Sequence, residues 1–148
     1  MAATLPQRLS IVFQPDKHLR SYDLHPNGAP HVTLDYIPSH ERKDSNVRQL
    51  AATVIDSLPV KASFTEARID DFVMKMTGEP RYDVILLPSE ETLEFINRVK
   101  QEAGIPPGRR VPHVRVASFR LPEEAEIHRR TWAQNGVITG EFIGVTLR

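Results

Sequence analysis

Strand-forming and helix-forming segments alternate along this chain, and the alternation restricts it to a mixed architecture. Residues 9–13, 31–37, 62–73, 82–87, 113–119 and 137–147 are rich in β-branched and aromatic residues and bounded by turn formers, which predicts six strands. Between 45 and 58 the apolar residues Val47, Leu50, Ala51, Val54, Ile55 and Leu58 recur at steps of three and four before Pro59, the pattern of an amphipathic helix. A second helix is expected over 89–103. Ser89 caps it, acidic residues follow, Leu93, Ile96 and Val99 turn inward, and Gly104 stops it. A third, over 123–135, starts behind Pro122 and ends at Gly136; Ala125, Ile127 and Trp132 make an incomplete stripe, so it should lie partly exposed with Trp132 as anchor. Strand pairs mixed with single helices suggest an α+β or α/β sandwich, with sheet on one side and helices on its back, and α+β is the expected class.

The 148 residues allow one domain, 1–148, with a core of its own. Twelve Pro and seven Gly are scattered as punctuation, so no internal boundary stands out. Cys is absent, which excludes a disulfide framework, a thiolate nucleophile and Cys-ligated zinc. Nineteen basic residues balance nineteen acidic ones, and a chain without net charge is a poor partner for a long nucleic-acid duplex. No stretch approaches the roughly 20 apolar residues of a bilayer span, and the start MAATLPQRLSIVFQPD lacks the apolar segment and cleavage site of a secretion signal. A cytoplasmic monomer with no membrane partner is therefore expected.

One element occurs twice. Pro30-His31-Val32-Thr33-Leu34 is matched by Pro112-His113-Val114-Arg115-Val116, each behind a turn-rich loop and each running into a strand segment. Alternation along a strand puts His31 and Thr33 on one face and Val32 and Leu34 on the other, with His113 and Arg115 likewise opposed to Val114 and Val116. If the valines enter the core and the strands lie side by side, two imidazoles, a hydroxyl and a guanidinium line one groove. Such a set suits a phosphodiester. One imidazole removes a proton from water or a ribose hydroxyl and the other protonates the departing oxygen, near neutral pH and without a metal. Thr33 and Arg115 would hold the non-bridging oxygens.

These two elements resemble those of the 2H phosphoesterase superfamily, named for paired His-x-Thr/Ser-x elements and including 2'-5' RNA ligase-like proteins and cyclic phosphodiesterases. His31-Val32-Thr33-Leu34 fits the first element, while His113-Val114-Arg115-Val116 has Arg where the family has Thr or Ser. The order of strands and helices is similar over most of the chain. The resemblance implies a bilobal fold, two pseudo-symmetric lobes of antiparallel-rich sheet with helices outside and a central cleft. It implies catalytic roles for His31, His113, Thr33 and Arg115, no cofactor and no metal, and a substrate that is a small nucleotide or RNA end: a 2',3'-cyclic phosphate, a 2'-5' linkage or a cyclic (oligo)nucleotide signal. Compact phage members of the superfamily hydrolyse such signals, and for a phage chain the location would be the host cytoplasm. The charge of Arg115 favours His113 as the base.

Other residues are candidates for substrate binding. Tyr36, Phe119 and Trp132 could stack a base, although core packing is the alternative for each, and His25 lies in the loop leading to His31. His18, His40 and His128 have no ligand spacing, and the signatures of zinc hydrolases, phosphate-loop proteins and serine hydrolases are missing. Seven of fourteen Arg fall within 109–148 against four acids there, enough to steer a short nucleotide. The chain is thus expected to be a metal-independent phosphodiesterase. The rival is a nucleotide-binding protein that lost turnover when the second hydroxyl became Arg115, and the third reading is an interaction domain.

Overall fold

Leu9, Ile11 and Phe13 are buried at alternate positions of β1 (Gln7–Pro15), the period of two that strand geometry imposes. The computed structural model describes residues 7–16, 30–37, 49, 52–74, 76–106, 108 and 111–147. Five more strands follow: β2 (His31–Ile37), β3 (Val60–Val73), β4 (Pro80–Pro88), β5 (Val114–Phe119) and β6 (Ile138–Leu147). All six expected strands are present: the first, third and fourth are longer by two to four residues, the second has the expected bounds, and the sixth starts one residue late. The fifth is shorter, because Pro112 has no N–H for a ladder and His113 stays outside it.

Helical residues 49 and 52–55 belong to the first helix, α1, with Val54 fully buried; Val47, Leu50 and Ala51 lie outside the described residues. Ile55, expected inside, is 52% exposed. Helix α2 (Glu90–Glu102) is capped by Ser89, whose hydroxyl accepts from the Thr92 N–H. Its buried face is Thr92, Phe95, Ile96, Val99 and Lys100, while Leu93 is only half-buried. Helix α3 (Pro122–Ala133) buries Ala125 and Trp132. Ile127, counted in the expected stripe, is 66% exposed, since two residues on from Ala125 is about 200° around the helix.

The class is α+β. The sheet is antiparallel and closes on itself in the order β1-β2-β5-β4-β3-β6, a barrel rather than an open sheet backed by helices. Helix α2 packs on β3 and β4, and α3 on β3, β4 and β5. Phe13, Phe64 and Phe142 meet edge to face at the core, with Phe95 of α2 stacked on Phe142 at 5.9 Å between centroids. Edge-to-face packing suits the ring quadrupoles and adds about 0.5–1.5 kcal/mol per pair to the burial of the rings. Among the described residues no helix is long and apolar enough to cross a membrane.

Two features of this packing are testable. A Cβ at Gly140 of β6 would strike the Gln14 carbonyl and come within 2.8 Å of the Phe13 ring, whereas one at Gly144 meets nothing within 4 Å. Gly140→Ala should therefore lose about 1–3 kcal/mol in urea unfolding, and Gly144→Ala should stay within about 0.5 kcal/mol of wild type. On α3, Glu126 accepts hydrogen bonds from Arg129 at 2.6 and 2.9 Å and from Arg130 at 3.1 Å. Chiefly through Arg129, these lower its carboxyl to about 2. A carboxylate held below its unfolded value stabilises the fold above the ordinary range near about 4.3, and that contribution disappears as pH falls toward 2. NMR titration should place Glu126 near 2, and Glu126→Gln should flatten the unfolding midpoint across that window.

Candidate active site

Pro30 delivers His31 to the start of β2, and its carbonyl accepts from the Phe13 N–H at 2.8 Å, fixing the entry of the strand. Val32 and Leu34 then turn into the core at 0% and 4% exposure, which puts His31, Thr33 and Asp35 on the opposite face. On β5, Val114 and Val116 are buried in the same way, and Arg115 faces outward.

The strands meet through a single described residue pair, Val32 with Val114. One step in either direction along antiparallel chains sets His31 across from Arg115 and Thr33 across from His113. Continued to the flanking residues, that register puts the two histidines on a diagonal, where strand geometry separates the backbones by about 7–8 Å. All four side chains line one groove of about 600 Å³.

His113 is oriented by the chain that brings it. Its Nδ1 lies 2.8 Å from the Val111 carbonyl oxygen. A carbonyl only accepts, so Nδ1 carries the hydrogen, and Nε2 of the neutral ring is the nitrogen that takes a proton.

Arg115 is held from below. Its guanidinium is 3.6 Å from Asp83, a β4 residue with 7% of its side chain exposed, while Arg115 keeps 35%. The register places Val84 opposite Ala117 and Ile85 opposite Arg115, so Val116 is an extra residue in β5. Such bulges re-aim the side chains next to them. Across β3, Asp70 pairs in register with Asp83, and like charges facing each other are unfavourable unless a cation intervenes. Arg115 supplies a cation to Asp83.

Three charged lining residues lie outside the elements that the sequence singles out. Lys100 comes from the last turn of α2 and is only 8% exposed; Arg8 comes from β1 and Asp83 from β4. The signal for Lys100 was available, because it stands four residues after Ile96 on the buried stripe of α2. Asp83 interrupts the apolar run of β4 in a similar way. Asp35 lines the groove as its parity suggests.

The remaining candidates do not gather there. Trp132, 2% exposed, is a core residue and does not line the groove. Phe119 packs against His128 at 5.3 Å between centroids, and burial lowers the His128 pKa from its ordinary value. Tyr36 belongs to β2, paired with Arg8, with its side chain outside the described set, as are His25, His18 and His40 entirely. Among the described residues no cluster of three or more His, Asp or Glu has the placement of a metal site. The chain matches no protein-family model and no curated protein at a significant level.

The His113 contact has a direct check. Long-range ¹H–¹⁵N NMR of the neutral ring should show the Nδ1–H form; a dominant Nε2–H form would contradict the orientation derived from Val111.

Proposed function

We propose that this protein is a phosphodiesterase of the two-histidine type, acting on a small nucleotide with a cyclic or 2'-linked phosphate. The observation that carries the reading is the Val32–Val114 register, which brings His31, Thr33, His113 and Arg115 to one groove. In this reading the two halves of the barrel, each contributing one His element, correspond to the two lobes of a 2H phosphoesterase.

Water attacks phosphorus while Nε2 of His113 takes its proton, the role left to that nitrogen by the Nδ1–H bond to Val111. His31, on the diagonal, gives a proton to the ribose oxygen as its bond to phosphorus breaks. The product is a phosphate monoester, and proton exchange with solvent resets both rings. Thr33 and Arg115 donate to the non-bridging oxygens, where charge accumulates. Asp83 keeps the guanidinium aimed and takes up part of its charge, so Arg115 serves as an oriented donor more than as a bare cation.

The same ion pair favours a second reading, in which the groove binds a nucleotide without turnover because Arg115 is engaged by Asp83 where a hydroxyl would be mobile. Hydrolysis of 2',3'-cyclic mononucleotides in EDTA separates the two. Turnover should fall by about 100- to 10,000-fold in both His31→Ala and His113→Ala. Binding by all three proteins with turnover by none supports the second reading.

A further inference from the structure

Lys100 is the group in the groove that the two-histidine reading does not use. Its side chain lies on the buried face of α2 with Phe95, Ile96 and Val99, is 8% exposed, and lines the groove with Asp83 and Arg115. Its ammonium makes no hydrogen bond or ion pair with the described residues. A lysine at a helix C-terminus is ordinarily favoured by the helix dipole, and that benefit needs no burial. The stem of Lys100 is therefore buried while its ammonium emerges into the groove, a partly desolvated and unpaired cation held at a fixed place, where an anion would be stabilised.

No described acid of the groove pairs with Lys100. Among the described lining residues the acids are Asp35 and Asp83, and Asp83 is engaged by Arg115 at 3.6 Å. The path of the chain explains how Lys100 comes to share a wall with His113. Gly104, at φ 72°, reverses the backbone beyond α2, and the Ile105 N–H returns to the Lys100 carbonyl at 2.8 Å. Pro106 and Gly108 then line the groove on the way to Val111 and His113. A volume of about 600 Å³ lies within the size of sites that enclose nucleotide-sized ligands, so there is room beyond one phosphate.

We propose that Lys100 forms a second anion subsite, and that the substrate carries a phosphate group in addition to the one held between His31 and His113. This rests on the phosphodiesterase reading and narrows its substrate class. A second phosphate reaches the groove from either of two sources: a terminal phosphate on the same nucleoside, or the internal diester of a short oligonucleotide.

Three substrates test it: a nucleoside 2',3'-cyclic phosphate, the same compound bearing a 5'-phosphate, and a dinucleotide ending in a 2',3'-cyclic phosphate. Wild type should prefer a doubly phosphorylated substrate by about 10- to 100-fold in kcat/KM, the size of a charge-assisted hydrogen bond. That ratio should collapse toward one in Lys100→Met and persist in Lys100→Arg. Preference for the 5'-phosphate identifies a terminal group, and preference for the dinucleotide alone identifies an internal diester. Equal constants for all three in wild type would overturn the subsite while leaving the phosphodiesterase intact. If none is hydrolysed, the phosphodiesterase reading fails, and calorimetric binding of the same compounds decides the subsite. A wild-type binding preference that Lys100→Met removes upholds it; equal binding or none overturns it. Should Lys100→Met not fold, Lys100→Gln and the wild-type ratio supply the same decision.

Discussion

Among the described residues a single pairing, Val32 with Val114, joins β2 to β5 and sets the geometry of the groove. Because side chains alternate along a strand, one residue of slip would send the histidines inward and the valines out. The apolar core prevents that slip. Both valines are essentially fully buried, and moving them to water while burying imidazoles would lose their hydrophobic stabilisation and strand polar groups. The placement of His31, Thr33, His113 and Arg115 is therefore a consequence of how two valines pack.

Closure of the barrel makes this seam possible with so few bonds. β2 is paired along its length with β1, and β5 with β4, so each strand arrives already fixed by its other neighbour. Sparse pairing leaves the ends of both strands open where the two His elements face each other. Behind them the Phe13, Phe64 and Phe142 cluster ties β1, β3 and β6 together, and α2 and α3 both pack against β3 and β4.

Charge in the groove is arranged in layers. Asp83 sits low between the apolar residues of β4, Arg115 covers it, and Lys100 approaches from α2. A carboxylate under a guanidinium keeps that guanidinium in place without cancelling the groove's attraction for anions, because Lys100 remains. Arg115 in the second His element is thus matched by a buried acid on the neighbouring strand, a pairing invisible in the element itself.

Strand and helix identities were legible from local pattern, because burial on one side imposes a period of two or of 3.6. The same logic correctly grouped His31 with Thr33 and His113 with Arg115. Apolar character alone does not place Ile127 and Leu93, whose angles around their helix axes turn them away from the buried faces. Asp83 and Lys100 were passed over because each stands in an apolar stretch that reads as core, and only their neighbours reveal that the stretch borders a groove.

By itself, the sequence determined which side chains share a face of each strand, where α2 and α3 lie to within a residue or two, and that a Pro-His-Val element occurs twice, since all of these follow from chemistry between near neighbours. Tertiary structure alone decided that β2 lies beside β5, that Val111 orients His113, and that Asp83 and Lys100 join the groove. Those facts depend on contacts between segments far apart in the chain, which are selected by closing the barrel around one apolar core and leave no trace in local periodicity.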